Sequence, residues 1–107
     1  MRIFLDECVP RPVEKLLIGH ACSTAQQMGW GGAQNGDLLR LVQTHGFEVF
    51  VTSDQNLGYQ QNLAVRTIPL LVLPTNHWPI LKTKGDSILE ILKTLSAGDY
   101  VEMIFES

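Results

Sequence analysis

The sequence is poor in cysteine and lacks both a long apolar run and an excess of positive charge. Its two cysteines, Cys8 and Cys22, stand in no CxxC or cysteine–histidine spacing, which excludes a disulfide scaffold and a zinc module. No apolar stretch approaches the ~20 residues of a membrane-spanning helix. Asp6 and Glu7 follow the start too closely for a signal peptide, so the cytoplasm is the expected location and no membrane partner is expected.

The charge balance argues against a protein that grips nucleic acid by phosphate contacts alone. The formal net charge is −3, whereas such proteins are basic. Of the 107 residues, 45% are hydrophobic, which is typical of an ordinary folded chain. This length predicts one domain spanning residues 1–107.

Short apolar strands alternate with helices along the chain. The predicted strands are Arg2–Leu5, His20–Thr24, Glu48–Thr52, Thr67–Leu73 and Tyr100–Phe105. The predicted helices are Pro10–Ile18, Gly36–Thr44, Leu57–Ala64 and Asp86–Ser96, and the predicted loops are 26–36 and 74–84. This alternation predicts a three-layer α/β/α sandwich with a mostly parallel sheet.

Three aspartates are predicted to lie at one edge of this sheet. Asp6 follows the first strand, Asp54 follows the third, and Asp37 stands in the first turn of the helix after the second. Ligands of open parallel sheets bind at the carboxyl ends of the strands. Clustered carboxylates repel one another unless a cation joins them, and oxygen ligands of this kind suit Mg²⁺ or Mn²⁺.

Each aspartate also has an ordinary structural explanation. Asp37 suits the positive end of a helix dipole, Asp54 suits a turn that bonds its own backbone, and Asp6 suits the start of the next segment. Their coincidence at one edge favours a metal site. Glu7 either points away from that site or supports it without binding the metal directly.

Three stretches of the sequence resemble the PIN-like nuclease superfamily. They are IFLDECVPRP, GGAQNGDLLRLVQTHG and VFVTSD, and the likeness is to the small stand-alone branch that is similar to VapC-type toxin ribonucleases. It covers residues 2 to about 75, and the remainder only by element order. The resemblance implies strand order 3-2-1-4-5 and a divalent-metal nuclease that acts on RNA, often as the toxin of a toxin–antitoxin pair.

The resemblance also assigns roles to individual residues. Asp6 and Asp54 match the two metal-binding acids, and Asp37 matches an acid on the second helix. Thr52 and Ser53 match a polar pair that orients the second carboxylate. All three aspartates are therefore the expected catalytic and metal-binding residues.

Two amides stand where the branch usually has acids, at Asn35 and Asn56. Amides are neutral and bind Mg²⁺ more weakly, and the fourth acid of the wider superfamily is missing from LPTNHW. The number of metals held, two, one or none, is left open. A catalytically weak or inactive PIN-like protein that acts as a protein-binding scaffold is therefore the alternative to an enzyme.

An active enzyme is expected to hydrolyse single-stranded RNA with metal assistance. Arg11, Lys15 and Arg40 are the candidates for phosphate contacts, or else they are ordinary solvated helix charges. An antitoxin protein and a second copy of the chain are both open as partners. Changing any of the three aspartates to asparagine is expected to relieve repulsion and so stabilise the metal-free protein.

Overall fold

Five parallel strands form the centre of the protein. The computed structural model describes residues 1–33, 35–55 and 67–105, with the backbone alone for residues 35 and 36. The strands are β1 (Arg2–Leu5), β2 (Ala21–Thr24), β3 (Val49–Thr52), β4 (Leu70–Val72) and β5 (Tyr100–Glu102). Every pairing within this sheet is parallel, so the predicted parallel α/β fold is confirmed.

Helices connect the strands and cover the sheet. They are a 3₁₀ helix (Arg11–Leu16), α1 (Ala25–Met28), α2 (Asn35–Thr44), α3 (Trp78–Leu81) and α4 (Gly85–Leu92). The predicted helix Leu57–Ala64 lies outside the described residues. Among the helices that are described, none has both the length and the apolar character needed to cross a bilayer.

The predicted strand order, 3-2-1-4-5, is wrong: the observed order is 2-1-3-4-5. All four residues of β3 are buried, whereas β2 has one buried residue in four. An apolar strand is stabilised most in the middle of a parallel sheet, where both faces are covered. The thinly apolar β2 therefore lies at the edge, and β3 takes the place between β1 and β4.

Successive side chains of the strands feed two separate cores, as the pleat of a strand requires. Ile3 and Leu5 point to the face that packs against the 3₁₀ helix, α3 and α4. Phe4 and Phe50 point to the opposite face, where they meet α1 and α2. Helices thus cover both faces of the sheet, in agreement with the three predicted layers.

Two connections that run the same way across the sheet lie on opposite faces. The β2–β3 connection contains α2, and the β4–β5 connection contains α3 and α4 on the other face. The two connections therefore have opposite hands, so one of them is left-handed. Parallel crossovers are right-handed in about 98% of cases. This path brings α3 alongside the carboxyl ends of β4 and β5.

Several predicted element boundaries are wrong for local reasons. The first helix is 3₁₀ rather than α and covers Arg11–Leu16, with Pro12 in its first turn, where a missing N–H costs no hydrogen bond. The predicted loop 26–36 contains the end of α1, whose start is a capping box formed by Thr24 and Gln27. The predicted loop 74–84 contains α3.

The remaining boundaries differ by a few residues. Helix α2 begins one residue before the predicted Gly36, and α4 runs from Gly85 to Leu92 rather than from Asp86 to Ser96. Strands β4 and β5 are each shorter than predicted. Pro69 has no N–H for a ladder hydrogen bond, which accounts for the late start of β4.

Candidate functional site

The chain changes direction across the sheet between β1 and β3. From β1 it continues to the edge strand β2, and from β3 it continues to β4 on the other side. At such a point the connections diverge and leave a crevice at the carboxyl ends of the two strands. Asp6 follows β1 directly and Asp54 lies two residues after β3, so the fold brings these two predicted residues to one place.

A cavity of about 370 Å³ occupies this position. We call it the acidic crevice, and it is lined by Asp6, Glu7, Cys8, Gly32, Ala33 and Asp54. A second cavity, of about 350 Å³, shares its first three residues and extends toward β2, where Arg11 also lines it. Three carboxylates therefore border one space, and a cation of the chain stands beside it.

Asp6 is held in place by donors on three sides. Only 8% of the residue is exposed. Its Oδ1 accepts a hydrogen bond from the Glu7 backbone N–H at 2.8 Å. Its Oδ2 accepts from the Thr52 hydroxyl at 2.8 Å and from the Cys8 thiol at 3.6 Å. These hydrogen bonds hold the Asp6 side chain in one orientation at the edge of the crevice.

Thr52 links the two aspartates. This residue is fully buried, and its hydroxyl oxygen donates to Asp6 while accepting from the Asp54 backbone N–H at 3.1 Å. Thr52 therefore orients the first carboxylate directly and the second through its backbone. The Ser53 hydroxyl donates to the Cys8 carbonyl at 3.2 Å, which ties the segments after β1 and β3 together.

Cys8 has a polar role that the sequence pattern did not predict. Its sulfur accepts from the Ser53 backbone N–H at 3.3 Å and lies 3.4 Å from the Thr52 hydroxyl, in addition to its contact with Asp6. The spacing Asp-x-Cys, directly after an apolar strand, was the available signal. Cys22 differs: burial, aided by the Glu14 carboxylate, raises the pKa of its thiol to about 11, so it stays protonated near neutral pH.

A glycine-rich segment closes one side of the acidic crevice. The Glu7 carboxylate accepts a hydrogen bond from the Gly32 N–H at 2.7 Å, and Gly32 has a φ of +85°, which glycine adopts without steric cost. On the sheet side, the Trp30 ring packs 5.8 Å from the Phe4 ring. Glu7 thus faces the crevice and positions the segment that borders it.

Two substitutions at Glu7 test this positioning role. Glu7→Gln keeps an oxygen acceptor for Gly32, whereas Glu7→Ala removes it. We expect faster amide hydrogen exchange in residues 30–33 for Glu7→Ala alone, because only that variant loses the hydrogen bond. Exchange at the wild-type rate in Glu7→Ala would show that this hydrogen bond does not hold the segment in place.

The other residues predicted for the site lie away from the acidic crevice or outside the described part of the chain. Asp37 lies exposed in the first turn of α2, where it pairs with Arg40 at 3.5 Å, and it lines neither of the two cavities. Lys15 is exposed in the last turn of the 3₁₀ helix. The Asn35 side chain and the whole of Asn56 are outside the described part of the chain. The expected roles of these residues stay predictions.

The acidic crevice suits a hard divalent cation by the chemistry of its donors. Its carboxylate oxygens come from Asp6, Glu7 and Asp54. Within residues 1–33, 35–55 and 67–105, no three His, Cys, Asp or Glu side chains are grouped closely enough to hold a metal by themselves. Mg²⁺ needs fewer: it keeps several waters and is usually held by one or two carboxylates together with substrate phosphates.

Comparison with known proteins gives no family assignment. No protein-family model, no curated protein and no solved structure matches the chain. The fold and the site define an α/β protein with an acidic crevice where the chain changes direction across a parallel sheet.

Proposed function

We propose that the protein is a divalent-metal-dependent ribonuclease that hydrolyses phosphodiester bonds in single-stranded RNA. The observation that carries the proposal is that Asp6 and Asp54 leave neighbouring parallel strands and line one cavity. The motifs that resemble the PIN-like nucleases include both of these residues. That resemblance also supports PIN-like membership and a role as the toxin of a toxin–antitoxin pair.

The residues of the crevice have separable tasks in this proposal. Asp6 and Asp54 hold Mg²⁺ or Mn²⁺, and Thr52, Cys8 and the Glu7 backbone keep Asp6 oriented. A metal bound there supplies an activated water and neutralises charge on the scissile phosphate. Of the two expected roles of Asp37, direct ligand or ligand through water, we propose the second, because Asp37 lines neither cavity at the crevice.

The charge of the protein fits this proposal once the site is considered locally. One bound divalent cation adds two positive charges and would bring the formal net charge from −3 to −1. Arg11 lines the cavity beside Asp6 and is our first candidate for a phosphate contact. Arg40 is paired with Asp37, so its contact with a substrate phosphate would compete with that pair.

Arg11→Ala is expected to weaken RNA binding uniformly across sequences. Each phosphate contact on a single strand contributes about 0.7 to the slope of log affinity against log salt, so we expect the slope to fall by about that amount. Binding is measured by fluorescence anisotropy at several salt concentrations. Lys82→Ala is the matched control, because Lys82 is exposed and lines neither cavity at the crevice. An unchanged slope in Arg11→Ala would remove Arg11 from the interface.

The direct test of the proposed function is cleavage of a defined single-stranded RNA by the whole chain. We expect products with Mg²⁺ or Mn²⁺ and none with a chelator. An equilibrium titration with Mn²⁺ accompanies the assay. Absence of both cleavage and Mn²⁺ binding at millimolar metal would favour the scaffold alternative, in which an antitoxin-like protein or a second copy of the chain is the partner.

A further inference from the structure

A larger cavity lies on the same edge of the sheet as the acidic crevice. Its volume is about 660 Å³, within the range of roughly 300–1,000 Å³ that is usual for small-molecule pockets. We call it the apolar groove. It lies at the carboxyl ends of β4 and β5, and its lining includes Gln55, Ile80, Lys84, Glu102, Ile104 and Phe105.

The apolar groove and the acidic crevice are neighbours. Asp54 lines the crevice and Gln55, the next residue, lines the groove. The Gln55 amide nitrogen donates to the Leu73 carbonyl at 2.5 Å and to the Ser53 carbonyl at 3.1 Å, which holds it between the ends of β3 and β4. Adjacent strands lie about 4.8 Å apart, so roughly 10 Å separates the ends of β3 and β5.

The groove combines apolar walls with one aromatic ring, one cation, which is Lys84, and one carboxylate, which is Glu102. Ile80 is 44% exposed and Ile104 is 84% exposed. Phe105 is partly exposed, and the Lys84 ammonium lies 5.5 Å from the centre of its ring. Aromatic rings bind unstacked nucleobases through their faces, and a lysine ammonium binds phosphate.

We propose that the apolar groove binds one nucleobase of a single-stranded RNA, and that a phosphate further along the same strand lies in the acidic crevice. This inference rests on the proposed function and names a subsite for its substrate. The base displaces the Lys84 ammonium from the face of the Phe105 ring and stacks there, and the displaced ammonium contacts the phosphate of the same nucleotide. A base that is paired in a duplex cannot reach the ring, because only unstacked bases can be splayed onto a side chain.

The observations favour a nucleotide over an apolar segment of a protein. An apolar segment would match Ile80 and Ile104 but would use neither Lys84 nor the continuity with the carboxylates. A polynucleotide uses all of these features: its base meets the apolar walls, one phosphate meets Lys84, and a phosphate further along the strand lies at the crevice.

The test compares two oligomers that differ only in their bases. One is a fluorescein-labelled hexa-adenylate, and the other is an abasic oligomer with the same number of phosphates. Binding to the whole chain is measured by anisotropy with millimolar Ca²⁺, and each oligomer is checked on a gel for cleavage. We expect the wild type to bind the hexa-adenylate at least about 10-fold more tightly than the abasic oligomer, because stacking of a base on one aromatic ring contributes that much affinity.

Three variants locate the preference in the groove. Phe105→Ala is expected to lose it, and Phe105→Tyr, which restores the ring, is expected to keep it. Lys84→Ala is expected to weaken the binding of both oligomers and to lower the slope of log affinity against log salt by about 0.7. Lys82→Ala, an exposed lysine two residues away, is the matched control. Circular dichroism and melting temperature establish that each variant is folded.

Each outcome decides one claim. Equal affinities for the two oligomers, or an unchanged preference in folded Phe105→Ala, overturns the subsite even if the RNA is cleaved. Base-dependent binding that needs Phe105, without cleavage under Mg²⁺ or Mn²⁺, supports the subsite and overturns the proposed nuclease. Loss of self-association in Phe105→Ala with unchanged RNA affinity overturns the subsite and assigns the groove to a second copy of the chain.

Discussion

Asp54→Asn is expected to lower metal-dependent RNA cleavage by about 10²-fold or more, as loss of a metal ligand does. The amide keeps the shape of the side chain and removes the charge that attracts the metal. The backbone N–H of Asp54, which donates to Thr52 at 3.1 Å, is unaffected by the change. The measurement is the initial rate of cleavage at saturating Mn²⁺, together with the Mn²⁺ affinity from equilibrium titration.

Asp86→Asn is the control for this prediction. Asp86 is an exposed aspartate in the first turn of α4, so the control makes the same chemical change away from the crevice. We expect it to cleave RNA at the wild-type rate. Wild-type cleavage in Asp54→Asn would remove this residue from the site and leave it an ordinary turn residue.

Asp6→Asn is expected to lose cleavage to the same degree, but its stability should move in the opposite direction from the sequence-based expectation. That expectation was relief of repulsion and a more stable metal-free protein. In the structure Asp6 accepts from Glu7, Thr52 and Cys8, and an amide cannot satisfy all of these donors. We therefore expect the free energy of unfolding to fall by about 1–3 kcal/mol. The measurement is thermal melting of the metal-free protein.

Thr52→Val is expected to reduce both stability and cleavage. Valine fills the same volume but removes the hydroxyl, which is buried and serves Asp6 and Asp54 at once. Leaving buried partners unpaired costs about 1–3 kcal/mol, which corresponds to a melting temperature at least ~4 °C lower for a domain of this size. Cleavage should fall about 10–100-fold, the usual effect of losing a group that orients a metal ligand.

Thr52→Ser separates the hydroxyl from the methyl group. Serine keeps the donor and acceptor and loses one buried methyl group, which costs about 1 kcal/mol. We expect Thr52→Ser to melt lower than wild type while retaining most of its cleavage. If the serine and valine variants lose cleavage equally, the hydroxyl has no role at the site and packing alone explains the effect.

Local patterns in the sequence were sufficient for the five strands and for helices α2 and α4, but not for α1 and α3, and they predicted part of the candidate site. Strand–helix alternation predicted the parallel sheet because burial of both faces imposes continuous apolar strands. Asp6 and Asp54 were found because strand ends are visible in sequence and parallel strands end on one edge. The capping box at Thr24 and Gln27 was equally readable, and reading it would have identified the start of α1.

The strand order was the main error, and its cause is instructive. The order 3-2-1-4-5 came from the resemblance and not from the residues. The composition of β3, VFVT, and of β2, ACST, already favours the observed places of these strands. A central strand is buried on both faces, whereas an edge strand is partly exposed. The apolar content of a strand therefore indicates whether it lies in the middle or at the edge of the sheet, which the alternation of strands and helices does not.

The sequence by itself determined which residues form strands, which faces are apolar, and that carboxylates follow β1 and β3. These properties depend on neighbours within a few residues. Tertiary structure alone decided that β1 and β3 are adjacent and that Thr52 bridges Asp6 and the Asp54 backbone. It also decided that the Cys8 sulfur contacts Thr52 and Ser53, and that the apolar groove adjoins the crevice. The decisive contacts join residues distant in sequence, such as Thr52 with Asp6 and Ser53 with Cys8, and such contacts arise only when the sheet and its covering helices pack together.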